Sequence, residues 1–199
     1  MSDEALTNKR EAILQSAHQL FVQQGYHGTS MRQIADLAGV SLGGLYNHFP
    51  SGKEAIFEAD FIENHPFREI MPTLLTTPGD NLEDFVRNAA RLLFASLQDR
   101  TDYLNLMFIE IVEFRSVHVS KLFNLLFPMG VEIAQRMQNI GRDNLRPIPA
   151  LVLLRSFLSL FFSYYITDLI IAPASPPEFQ EGAMYYFIEI YLHGILADQ

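Results

Sequence analysis

The chain of 199 residues contains no cysteine. That excludes a disulfide framework, a thiolate nucleophile and a cysteine-ligated metal, and it fits a reducing, cytoplasmic setting. Positive charge is scarce: 14 Lys and Arg stand against 23 Asp and Glu, a net of −9. The opening "MSDEALTNKREAIL" lacks the basic-then-apolar layout of a signal peptide. No segment alternates strictly as a strand would. A Ser-His-Asp arrangement, a glycine-rich phosphate loop and metal-ligand spacing are all missing, so neither catalysis nor a metal or cofactor is expected. Low positive charge gives no help to a nucleic-acid role. The deficit is uneven, however. Residues 1–54 hold four basic groups (Lys9, Arg10, Arg32, Lys53) against five acidic ones, and most of the acidity lies beyond them.

What is present is helical periodicity, at 49% hydrophobic and 19% charged residues. Ile13, Ala17, Leu20 and Phe21 mark the apolar face of a first helix over about 7–24, ended by "GYHG". Ser30 followed by Gln33 reads as a capping box opening a second helix to about residue 38, with Ile34, Leu37 and Ala38 inward. Gly39 breaks it, and Ser41 caps a third helix through Phe49. A fourth begins at Lys53 and meets Pro66 and Pro72. Asp80 or Asn81 caps another running to about Asp99, and further helices follow at 102–115, 118–140, 149–172 and 178–197. The expectation is an all-α chain, with an N-terminal three-helix unit at 1–54 and a unit of longer helices at 55–199. The segment "ALVLLRSFLSLFFSYYITDLIIA" is long enough to cross a bilayer. Arg155 and Asp168 interrupt it, and a stripe of Ser156, Ser159, Ser163 and Thr167 suits close helix contact. A buried or interface helix is therefore expected, with no membrane.

Two short helices joined by the turn "GVS" form a helix-turn-helix. At 100° per residue, Leu45 and Phe49 lie within about 40° of each other and define a buried edge. Gly43, Gly44 and Asn47 lie opposite, flanked by Tyr46 and His48. Glycine in a helix interior costs about 1 kcal/mol against alanine. A bare outer face suits a helix whose backbone must come close to a major groove, although the glycines could equally mark a turn.

The run "NKREAILQSAHQLFVQQGYHGTSMRQIADLAGVSLGGLYNHFPSGKEAIF" carries "LF…GY…TS", "IADLAGVS", "G-x-LY-x-HF" and "KE" in order. It resembles the DNA-binding domain of the tetracycline-repressor (TetR) family over about residues 8–57. The resemblance implies a homodimeric regulator of transcription, usually a repressor that leaves a palindromic DNA operator when a small molecule binds the C-terminal domain. Carried over, it places Thr29 and Ser30 on phosphates and Arg32 and Gln33 near the backbone or a groove edge. Ser41, Leu42, Gly43, Gly44 and Tyr46 fall on the reading surface, and Asn47, His48 and Lys53 clamp phosphate. Leu42 departs from the family's basic or polar residue, and "PSG" before Lys53 is one residue longer than usual.

Residues 101–199 hold fifteen of the 24 aromatics. A pocket for a small apolar or aromatic effector is expected from Tyr103, Met107, Phe108, Glu110, Phe114, Phe161 and Tyr165. Glu110 and Glu113 share a helix side, as pocket acids or as a solvated or ion-paired face. The resemblance also implies that the helices 149–172 and 178–197 build the homodimer interface. The competing class is a helical lipid or small-molecule carrier whose helix-turn-helix is vestigial.

Overall fold

The computed structural model describes residues 3–98, 100–171 and 174–197, and side chains from Thr7 onward except Phe179. Eleven helices occur among them: α1 (Asp3–Gly28), α2 (Met31–Leu37), α3 (Leu42–His48), α4 (Lys53–Glu63), α5 (Phe67–Thr76), α6 (Leu82–Leu97), α7 (Thr101–Val112), α8 (Val119–Ile140), α9 (Ala150–Ile171), α10 (Pro177–Gln180) and α11 (Ala183–Ile195). The only strand-like pairing among the described residues is an isolated bridge, Leu145 with Leu196. The all-α expectation holds.

The chain forms two compact units, Met1–His65 with Thr101–Asn124, and Pro66–Arg100 with Leu125–Gln199. In the first, α1 packs on α2, α4 and α7, and α2 on α3. Its core holds Ile13, Ala17, Phe21, Ile34, Leu45, Phe57, Phe61 and Leu106, all under 2% exposed. In the second, α6 meets α5, α9 and α11, and α9 meets α11. Leu74, Phe85, Val86, Met137, Leu153 and Phe157 lie at its centre.

Several boundaries differ from expectation for local reasons. Gly25 is non-helical inside α1, so regular helix stops where "GYHG" begins. Pro66 opens α5, and Pro72 is accommodated inside it. Asn81, not Asp80, caps α6, its Oδ1 accepting from the Asp84 N–H at 2.8 Å. The helix expected over 102–115 stops at Val112, because Arg115 and Ser116 turn the backbone into the left-handed region. The segment 178–197 is two helices, separated at Gly182 with φ 71°. The expected ends at Asp99 and Ala172 lie outside the described residues. Leu37, expected inward, is 48% exposed, and Ala35 is buried in its place. The helix α9 is long and apolar enough to cross a membrane by length and composition, and its inner side is packed in the second unit.

Candidate nucleic-acid interface

The two short helices are set by their caps. The Gln33 N–H donates to Ser30 Oγ at 3.2 Å, and the Ser30 N–H donates to Gln33 Oε1 at 2.8 Å, closing the capping box. Gly39, at φ 65°, turns the chain, and Ser41 Oγ then accepts the Gly44 N–H at 3.0 Å to start α3. Apolar anchors fix the pose of α3: Leu45 is fully buried and Phe49 is 5% exposed. Arg10 lies over the Phe49 ring at 5.3 Å and is held by a bidentate pair to Glu63.

The opposite side of α3 is open. Leu42, Gly43, Tyr46 and Asn47 are exposed, while Gly44 and His48 are half-buried. The two glycines have different causes. A Cβ on Gly44 would sit 3.1 Å from Ser41 Oγ, so Gly44 is explained by its own cap. A Cβ on Gly43 would meet nothing within 4 Å, and its backbone is helical. Nothing among the described residues requires glycine at 43. An external body coming close to the helix would require it.

Beside this face runs an open groove of about 520 Å³ lined by Ser41, Asn47 and His48 and by Thr7, Lys9 and Arg10 from the start of α1. The α1 residues carry no sequence signal for this role. Only packing brings the first turns of α1 to the recognition helix.

Two residues expected on phosphate have partners within the chain. Thr29 is 2% exposed, and its hydroxyl donates to the Gly25 carbonyl at 2.8 Å. Lys53 donates from Nζ to the carbonyls of Tyr26 and Thr29, each at 2.6 Å, with its ammonium 4.1 Å from the centre of the Tyr26 ring. Burial lowers its pKa, with Glu113 opposing. Lys53 is thus a staple on the turn entering the helix-turn-helix. Ser30 and Gln33 spend side-chain atoms on each other, though both stay exposed with Arg32 at the surface. Of the four cations in residues 1–54, Lys9 and Arg32 remain on the exposed surface, while Arg10 and Lys53 are engaged internally.

The first unit also buries charge. Glu110 is fully buried, accepting from the backbone N–H of His118 at 2.7 Å and pairing with His118 Nδ1 at 2.8 Å. Glu113 pairs with His27 at 2.6 Å. Both carboxylates have partners within the unit, and Glu110 caps the corner into α8. His18 bridges Asp60 at 3.0 Å and Asp102 at 2.8 Å. Burial lowers its pKa, but the bonds and charges of the two carboxylates outweigh that and raise it to about 9.

The seven residues expected to line an effector pocket fall in both units, two in the second and five in the first. Phe161 and Tyr165 line a cavity in the second unit, with Phe94, Phe162 and Met184, and its volume is about 10 Å³, room for a single water. The other five belong to the first unit. There Phe108 is 52% exposed, Phe114 stacks on Phe57 with ring centres 4.6 Å apart, and Tyr103 lies against His18. Tyr103 and Met107 are half-buried. Among the described residues no group of His, Asp and Glu is arranged to hold a metal ion.

A capped helix pair presenting an uncharged, side-chain-poor face beside a partly basic groove defines a helix-turn-helix protein of the DNA-binding class. Comparison with known proteins agrees. Residues 13–59 match the family described as bacterial regulatory proteins, tetR family. The transcriptional regulator LmrA of Bacillus subtilis is 36% identical over 84 residues, 40% of this chain and 45% of that protein. RutR of Escherichia coli is 42% identical over 86 residues, 43% of this chain and 37% of that protein. The chain thus matches less than half the length of either. The uncharacterised regulator YvkB of Bacillus subtilis is 28% identical over 96% of this chain and 98% of its own. Among solved structures, NalD, the secondary repressor of the MexAB-OprM multidrug efflux pump in Pseudomonas aeruginosa, shares the fold with a TM-score of 0.64 at 22% identity, covering 99% of this chain and 100% of its own. GusR of Salmonella enterica shares it with a TM-score of 0.69 at 21% identity, covering 93% and 94%. Residues 13–59 thus match the DNA-binding domain of the TetR family, and the fold of the chain is that of solved TetR-family regulators.

Proposed function

We propose that this protein is a ligand-responsive regulator of transcription, a cytoplasmic repressor that binds a palindromic DNA operator as a homodimer. Residues 1–54 would bind DNA, and residues 55–199 would bind effector and partner. The observation that carries the reading is Gly43, a helical glycine with empty space where a side chain would be. It weakens a seven-residue helix and serves nothing among the described residues. NalD, of the same fold, is a repressor, which supports repression here.

Dimerisation is supported by surfaces on α9 and α11. Val152, Ser159, Ser163, Thr167 and Ile170 fall on one exposed side of α9 at helical spacing. Tyr186, Ile190 and Gly194 do the same on α11. Small residues there permit close approach, and the exposed apolar ones supply area to bury. Paired recognition helices would then meet successive major grooves, about 34 Å apart. The effector is the least furnished part. The cavity lined by Phe94, Phe161, Phe162 and Met184 holds about 10 Å³, so an organic ligand at that place requires those side chains to part. The apolar and aromatic lining favours an apolar or aromatic effector. The relatives LmrA and RutR are transcriptional regulators, which does not favour the carrier reading.

The test is a gel-shift titration of the full chain on duplexes from the DNA flanking its own gene. Specific binding to a palindrome, two chains per duplex, is expected. A folded dimer that binds no palindrome from that region would overturn the proposal.

A further inference from the structure

We propose that α3 specifies its DNA site through A·T base pairs, with Leu42 and Tyr46 packed on thymine C5-methyl groups and Asn47 bonded to an adenine edge. The proposal rests on the DNA-binding reading above and gives it a base preference.

The argument starts from what α3 can donate and accept. Its sequence, LGGLYNH, has no Arg, Lys, Gln, Asp or Glu. Guanine is read chiefly by Arg or Lys on O6 and N7, and cytosine by a carboxylate on N4. Neither partner is present on this helix. Asn47 is exposed one turn beyond Gly43, and the asparagine amide pairs bidentately with adenine N6 and N7. His48 is half-buried and lines the groove beside Lys9, on the other shoulder of the helix.

The remaining exposed side chains are uncharged and mainly apolar, with the Tyr46 hydroxyl as their one polar group. Leu42 is 38% exposed and Tyr46 is 44% exposed. They stand one turn apart, so both side chains share a stripe beside the bare position 43. A lone exposed leucine is ordinary on a protein surface. A leucine and a tyrosine in one stripe, beside open space and without a charge, make a surface that fits a methyl group in the major groove. Thymine is the base that presents one. Gly43 lets the helix come close enough for both contacts, because a Cβ there would point into the same space.

The test uses the full-length protein and a palindromic duplex selected with it from a randomised library. Each thymine in the half-site is then replaced by deoxyuridine, which lacks only the C5-methyl. Wild-type affinity should fall about fourfold per half-site at one or two positions, the scale of one buried carbon group, ~0.8 kcal/mol. Leu42→Ala should bind the thymine and deoxyuridine duplexes equally at one of those positions. Asn47→Ala should lose tenfold or more on the selected duplex. A half-site whose central positions are G·C would overturn the proposal, as would indifference of the wild type to deoxyuridine at every position. Full retention of the thymine preference by Leu42→Ala would remove Leu42 from it. If selection returns no duplex, the DNA-binding reading falls first and this one with it.

Discussion

The ammonium of Lys53 bonds the Tyr26 carbonyl at 2.6 Å while lying over the ring of the same residue. Its second bond, to the Thr29 carbonyl, ties the end of α1 to the residue before the α2 cap. A lysine expected on phosphate thus ties the end of α1 to the start of the helix-turn-helix.

Lys53→Met should therefore act on stability first. Losing two charge-assisted bonds to carbonyls costs roughly 2 kcal/mol or more, visible as a lowered denaturation midpoint. The slope of log affinity against log salt should change by much less than one ion per subunit. A full unit of change per subunit, with stability intact, would restore Lys53 to phosphate.

His18 makes stability depend on pH in a definite direction. Its folded pKa, about 9, exceeds the ordinary 6.5, so the contribution is complete below 6.5 and disappears as pH rises through 9. Denaturant titrations at pH 6, 7.5 and 9.5 should show the gap between wild type and His18→Gln shrinking as pH rises. A gap that stays constant across that window would contradict the pairing with Asp60 and Asp102.

Glu110 is a folding residue in this account. Glu110→Ala leaves the His118 and Val119 N–H groups and the His118 ring without their acceptor, and should cost about 3 kcal/mol. Thermal unfolding reads it directly. An unchanged melting temperature would reopen a ligand-facing role.

The overall salt dependence should be modest. Arg10 is committed to Glu63 and Lys53 to carbonyls, which leaves few cations on the reading side to release counterions. A slope as steep as that of a protein neutralising about ten phosphates would refute this.

Features set within a few residues were legible in the sequence. The Ser30–Gln33 box, the Ser41 cap and the buried Leu45–Phe49 edge all depend on neighbours three or four positions away. What the sequence did not show are partners at a distance. Lys53 finds its acceptors 24 and 27 residues back, and the groove beside α3 borrows Lys9 from the far end of α1. Glu110 has the chemistry of a pocket acid until the turn at Arg115 and Ser116 brings His118 onto it. Leu37 kept the helical period but lies where α2 faces solvent, since periodicity gives the spacing of a face and not its width.

The most direct measurement compares Gly43→Ala with wild type in thermal stability and in affinity for the selected palindrome. Alanine fits the helical backbone at 43 without a clash, so the variant should be more stable, by up to about 1 kcal/mol. If α3 enters a groove, the added methyl should weaken specific DNA binding tenfold or more. A variant that gains stability and keeps its full affinity would contradict the account.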